Sequence, residues 1–143
     1  MSTQLVQNWM TPNPVTITPQ TTLPEARQLM DRHYIRRLPV INKGKLVGIV
    51  TRGDIWAAQA SHATTLSVYE MNYLLDRLPA KEFMAYKPIT IAADATIEEA
   101  ARLMLQYQIG GLPVVENGEL VGMITETDVC RLLILQSEHA EGV

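Results

Sequence analysis

The sequence predicts an α/β (α+β) fold built from two similar units of β-α-β-β-α order. Three observations carry this expectation: an internal repeat offset by 74 residues, a tight glycine turn between two apolar runs in each copy, and a helix-start signature in each copy. Shifting the chain by that offset lays residues 10–54 over residues 84–128 without a gap. Roughly 19 of about 45 positions are then identical, too many for coincidence in a chain of mixed composition. Several identities fall where backbone or packing is demanding: Pro14/Pro88, Leu38-Pro39-Val40/Leu112-Pro113-Val114, Gly44/Gly118 and Gly48/Gly122. Others are polar: Thr16/Thr90, Thr51/Thr125 and Asp54/Asp128.

Each element has a local reason. Residues 15–18 and 89–92 follow a proline and are rich in β-branched residues, which predicts short strands. Thr22-x-x-Glu25 and Thr96-x-x-Glu99 have the capping-box spacing, in which side chains satisfy the free amides of a helix start. Leu23, Ala26, Leu29, Met30 and Ile97, Ala100, Leu103, Met104 then recur at helical spacing. Residues 38–41 and 46–50, with their counterparts 112–115 and 120–124, predict hairpins. Their turns run through Asn42-Lys43-Gly44 and Glu116-Asn117-Gly118, with glycine free to take positive φ. A closing helix starts near Asp54 and again near Asp128. One such unit is too small to bury both faces of its sheet. Two copies packed sheet to sheet about a pseudo-two-fold axis would bury them.

The expected organisation is a first unit at residues 1–60, a helical linker at 61–80, a second unit at 81–137 and a tail at 138–143. In the linker, a polar break at residues 61–65 precedes a helix. Its apolar face combines Val68, Met71, Leu74, Leu75 and Leu78, with Tyr69 and Tyr73 nearby, and Pro79 stops it. This face suits packing on the core or self-association, and the two are compatible. Residues 131–136 form an amphipathic helix with the same two readings, and residues 137–143 read as a frayed tail.

Composition excludes several classes. Apolar residues make up 47% and charged residues 19%, which is globular. A net charge of −3 gives no basic surface for a nucleic-acid backbone. A single cysteine, Cys130, forms no internal disulfide and fits a reducing, cytoplasmic setting; on a helix it reads as a small buried thiol. The first ten residues lack a signal-peptide pattern, and no apolar run is long enough to cross a bilayer. The three histidines, His33, His62 and His139, have no metal-ligand spacing. Nothing supplies an activated nucleophile beside a base. No catalytic residue, metal or required cofactor is expected.

The informative segments are Gly48-Ile49-Val50-Thr51-Arg52-Gly53-Asp54 and Gly122-Met123-Ile124-Thr125-Glu126-Thr127-Asp128. Each joins a strand end to a helix start, where free amides and the helix dipole favour phosphate. Thr adds a hydroxyl. Asp adds two acceptor oxygens that suit the adjacent hydroxyls of a ribose. An Asp at a helix start is most simply an N-cap, and its duplication in one setting weakens that simple reading.

The pattern LPV-h-x-x-G-x-L-V-G-h-h-T-x-x-D (h, apolar), preceded by a Pro-h-Thr strand and a capped helix, resembles the cystathionine β-synthase (CBS) domain over essentially the whole chain. It is similar to small bacterial paired-CBS proteins and to the CBS part of acetoin-utilisation-type proteins. The resemblance implies a non-catalytic regulatory module that takes AMP, ADP or ATP, with S-adenosylmethionine as an alternative, in composite clefts. Asp54 and Thr51 would work with Ile89 and Thr90, and Asp128 and Thr125 with Val15 and Thr16. Basic residues just before LPV contact phosphate in this family. Here they are Arg36 and Arg37 in the first copy but Gly110 and Gly111 in the second. Because Arg52-Gly53 replaces Glu126-Thr127, the Asp128 motif is the more regular and its cleft the better expected binder. The resemblance also implies a homodimer, with the regulated protein unidentified. The competing reading is an association module whose clefts stay empty.

Overall fold

Two hairpins organise the chain. β2 (Arg37–Asn42) pairs antiparallel with β3 (Lys45–Thr51), and β6 (Gly111–Glu116) with β7 (Glu119–Thr125). Two residues turn each corner: Lys43 and Gly44 at φ 52° and 79°, Asn117 and Gly118 at φ 52° and 80°. Two consecutive positive φ values match the right-handed twist of the flanking strands. Each hairpin shifts register at the same place, between Val40 and Ile41 and between Val114 and Val115. The computed structural model describes residues 4–61 and 67–141. The expected break at residues 62–65 lies outside them.

The helices follow the predicted starts. α2 (Leu23–His33) is capped by the Thr22 side chain, and α5 (Ile97–Tyr107) carries the full reciprocal box of Thr96 and Glu99. Both end on a left-handed residue, Tyr34 or Gln108, after which the Ile35 and Ile109 amides bond back to the Met30 and Met104 carbonyls. α3 (Arg52–Ser61) and α6 (Glu126–Glu141) start directly at the hairpin ends. α6 thus continues through residues 137–141, where a frayed tail was expected. Cys130 on α6 is exposed rather than buried. Asp128 and Leu132 define the inward face, and Cys130 lies about 200° around the helix from each.

The first strand of each copy is shorter than predicted. In the second copy β5 (Ile91–Ala92) pairs parallel with β6, and the Ala93 amide donates to the Val115 carbonyl. In the first copy the pairing shrinks to a bridge between Ile17 and Val40. Proline occupies position 19, the equivalent of Ala93, and has no amide hydrogen to extend the ladder.

Contacts gather the described residues into two compact units: residues 15–88, and residues 4–14 with 89–141. This partition differs from the sequence boundaries in a reciprocal way. α1 (Val6–Trp9) and β1 (Thr11–Pro12) fall within the expected first unit, yet β1 pairs with β7 and Val6 is buried with the second copy's core. The 3-10 turn Ala80–Glu82 and β4 (Ala85–Tyr86) fall where the expected linker meets the second unit and within that unit, yet β4 pairs with β3 and Ala80 is buried with the first copy's core. The same bonds seat both segments. Ile97 N–H donates to Gln4 carbonyl and Leu23 N–H to Leu78 carbonyl. Val6 N–H donates to Ala95 carbonyl and Ala80 N–H to Thr21 carbonyl. The repeat therefore reaches upstream of the alignable sequence, into residues 4–9 and 78–83.

The two cores match position by position: Leu23/Ile97, Met30/Met104, Leu38/Leu112, Val40/Val114 and Val50/Ile124 are all buried. One difference is filled by α4 (Val68–Asp76). Ala58 stands where the other core has Leu132, and Leu75 of α4 is buried with Ala58. The predicted face of this helix divides. Met71, Leu75 and Leu78 pack on the core, whereas Val68 and Leu74 join Tyr69 and Tyr73 on the exposed side. The helix also ends at Asp76, before Pro79.

Close approach of the exchanged segments requires glycine. A Cβ at Gly122 would lie 2.5 Å from Met10 Sδ and 2.9 Å from the Thr11 carbonyl oxygen. One at Gly48 would lie 2.7 Å from Met84 Sδ and 2.9 Å from the Ala85 carbonyl oxygen. The backbone oxygens cannot swing aside as a methionine can. Gly122→Ala and Gly48→Ala should each cost about 1–3 kcal/mol in urea denaturation, by overpacking. Leu75→Ala should cost about 2–4 kcal/mol in the same measurement, because Ala58 beside it is too small to close the cavity.

Candidate functional site

Thr51 and Asp54 form a closed set of hydrogen bonds. The Thr51 amide donates to Asp54 Oδ2 at 2.8 Å, and the Thr51 hydroxyl donates to the same oxygen at 3.0 Å. The Asp54 amide lies 3.2 Å from Thr51 Oγ1. Since α3 begins at Arg52, Thr51 stands in the N-cap position and Asp54 two residues inside the helix. The motif is a capping box with Asp in the usual Glu position. The simple expectation of Asp as the cap itself is thereby corrected. The second copy repeats the carboxylate half of the arrangement, with the Thr125 amide and hydroxyl donating to Asp128 Oδ2 at 2.8 and 3.2 Å.

This geometry fixes what each carboxylate offers. Oδ2 is committed to the helix start, so the two oxygens are not equivalent acceptors for a diol. Among the described residues Asp54 Oδ1 meets no partner, while Asp128 Oδ1 lies 3.5 Å from Arg131 Nη1. Asp128 is buried, at 5% exposure, and Asp54 is half-buried. Position 57, the counterpart of Arg131, is alanine and provides no cation.

The strands bring further predicted residues to each motif. Arg37 pairs across the hairpin with Thr51, and the Arg36 carbonyl accepts from the Arg52 amide at 3.2 Å. Arg36, Arg37, Thr51 and Asp54 therefore surround one helix start. Gly111 pairs with Thr125, and the Gly110 carbonyl accepts from the Glu126 amide at 3.0 Å, so Gly110, Gly111, Thr125 and Asp128 surround the other. Val15 is half-buried against the core of the Asp54 unit, with Thr16 exposed beside it. Ile89 is half-buried against the core of the Asp128 unit, with Thr90 also half-buried.

Two charged neighbours were not singled out from sequence. Asp31, in the last turns of α2, holds the Arg52 guanidinium at 2.8 Å. These residues are 21 positions apart, and no local pattern joins them. Arg131 is three residues beyond Asp128 on one helix, a spacing that does place two side chains side by side and was readable in advance. Both pairs reach solvent through at least one partner and contribute little stability. Their effect is on local charge.

Comparison with known proteins gives a consistent picture. The family model described as CBS domain matches residues 6–55 and 80–135. An inosine-5′-monophosphate dehydrogenase of Korarchaeum cryptofilum is 40% identical over 116 residues. These are 80% of this chain but 21% of that enzyme, and the chain also spans about half of a second, uncharacterised archaeal relative. The crystal structure of a putative acetoin utilization protein (AcuB) from Vibrio cholerae superposes with a TM-score of 0.82 at 33% identity, covering 99% of this chain and 98% of that one. The CBS domain pair of protein MJ0100, solved in complex with 5′-methylthioadenosine and S-adenosyl-L-methionine, gives 0.80 at 29% identity, covering 94% and 99%. CBSX2 of Arabidopsis thaliana, solved in complex with AMP, gives 0.78 at 27% identity, covering 94% and 98%.

The capping boxes have a measurable structural role. Thr51→Val and Thr125→Val, which keep the side-chain shape but remove the hydroxyl, should each lower unfolding free energy by about 1 kcal/mol. Thr→Ser at either position should restore most of it in the same denaturant titration.

Proposed function

Because the chain belongs to the CBS-domain family, we propose that it is a regulatory module that binds an adenosine-containing nucleotide and performs no chemistry of its own. The observation that carries this reading is the twin Thr–Asp box. Twice, a carboxylate is held by the amide and hydroxyl of a Thr at the start of a helix of ten residues or more. A helix start needs a cap, but Thr alone provides one, and an Asp with an outward oxygen adds an acceptor for a ribose hydroxyl. AMP bound to CBSX2, and methylthioadenosine and S-adenosylmethionine bound to the MJ0100 pair, support the ligand class. AMP, ADP or ATP is the proposed ligand. The contact residues are Thr51, Asp54, Thr125 and Asp128, together with Val15, Thr16, Ile89 and Thr90 and the residues before each LPV. Occupancy would report adenine-nucleotide level to a regulated protein, by favouring one of two conformations of this module.

A second reading, association of copies of this chain, is favoured by one observation. Val68, Tyr69, Tyr73 and Leu74 form an exposed apolar face on α4, with Tyr69 87% exposed. The two readings combine in a ligand-binding homodimer.

A thermal-shift screen followed by calorimetry tests the ligand. AMP, ADP, ATP or S-adenosylmethionine at about 100 times its Kd should stabilise the fold by about 2.7 kcal/mol. Absence of heat from all four at millimolar concentration sinks the reading. The double variant Asp54→Ala/Asp128→Ala should stay folded and lose about 2 kcal/mol of affinity, roughly thirtyfold. Light scattering of Tyr69→Ser/Leu74→Ser should give a monomer where the parent chain gives a dimer, and a monomeric parent ends the association reading.

A further inference from the structure

The two units carry opposite charge. Residues 15–88 hold ten Lys and Arg against six Asp and Glu, while residues 4–14 and 89–141 hold two against nine. The formal side-chain charges are therefore +4 and −7, a split that the total of −3 conceals. An ion pair inside a unit, such as Arg52 with Asp31, cancels out of this count, and the first unit stays positive with Arg37 set aside.

The exposed apolar side chains differ between the units as well. On α6, Leu133 and Ile134 are exposed. With Glu126, Cys130 and Ser137 they form one helical stripe, opposite the buried Asp128 and Leu132. The counterpart stripe on α3 is Arg52, Trp56, Gln59 and Ala60. Trp56 is 74% exposed and stands at the edge of a groove of about 450 Å³. Leu23 and Arg27 of α2 and Met71, Leu75 and Asp76 of α4 line this groove with it. α4 also carries the exposed face of Val68, Tyr69, Tyr73 and Leu74.

We propose that this groove receives Leu133 and Ile134 on α6 of a second copy, so that the positive unit of one copy meets the negative unit of the other. The inference rests on the association reading above and names the surfaces that pair. Shape favours it: two branched apolar side chains on a helix ridge suit a groove between helices. Two grooves placed face to face would leave both unfilled, and two α6 stripes would offer no groove. Charge favours it too. Pairing like units sets +4 against +4 or −7 against −7, whereas unlike units attract and steer their own encounter. The charges sit on the pairing elements themselves. Glu126 and Glu138 flank the apolar pair on α6, and Arg131 there is engaged with Asp128. Arg27 lines the groove and Arg52 lies on the α3 stripe, with Asp76 opposing them from α4. A two-fold dimer makes such a contact twice.

The test is disulfide capture on the full chain with copper phenanthroline as oxidant, once light scattering has given the mass of the parent. Cys130 is exposed on the α6 stripe and is the native probe. Ala60→Cys/Cys130→Ser moves the only thiol to the groove lining. Neither chain alone should form a linked dimer, and a mixture should give a product with one copy of each. Leu133→Ser/Ile134→Ser, on exposed positions, should weaken self-association at least tenfold with an unchanged circular dichroism spectrum, and added salt should weaken it in the parent. A dimeric parent that links Cys130 to Cys130, or a mixture that yields no mixed product, overturns this pairing alone. So does association that the α6 substitutions leave unchanged or that salt strengthens. A monomeric parent overturns the association reading and this pairing together.

Discussion

Neither copy of the repeat closes its own core. The segment leading into the first copy is buried in the second unit, and the segment leading into the second copy is buried in the first. Val6 and Ala80 are fully buried, and Met10 and Met84 lie against Gly122 and Gly48. The constraint is geometric: a three-strand sheet with two helices leaves apolar surface that one more segment must cover. Chain order supplies that segment from the other copy. The exchanged segments pair with the outer strand of each hairpin, and the Thr–Asp boxes stand where that strand ends.

The boxes show how a structural need and a binding capacity share one residue. Asp54 and Asp128 satisfy the amides that begin α3 and α6, which explains their placement without any ligand. The same bonds orient each carboxylate rigidly and leave its second oxygen for something else. Arg131 occupies that place in one unit, and alanine leaves it open in the other. Duplication made two equal frames, and a few substitutions on those frames (Arg for Gly, Arg for Glu, Asp for Leu) separated their electrostatics.

Divergence in the cores followed the same course. Leu132 is buried in one core from its own helix, its counterpart in the other is the smaller Ala58, and Leu75 of α4 is buried in the same cluster as Ala58. That substitution ties α4 to the first unit and turns Val68, Tyr69, Tyr73 and Leu74 outward. The apolar face of this helix was legible as a pattern, but which half of it met the core depended on the gap beside Ala58.

The sequence by itself determined the repeat, the element types, the hairpin turns, the helix starts and the four Thr and Asp residues of the motifs. Each rests on short-range physics: periodicity, capping and the positive φ that Gly44 and Gly118 accept. Tertiary structure decided what short-range signals do not encode. Residues 4–9 and 78–83 share almost no side chains, so their equivalence appears only in the backbone bonds they make. Pro19 cut the first strand to a bridge because the lost hydrogen bond is to a distant strand. The Arg52–Asp31 pair joins residues that only the packed helices bring together. Asp54 and Asp128 already differ in sequence through the residues beside them, and the fold adds one further difference, Arg131 against the Asp128 carboxylate.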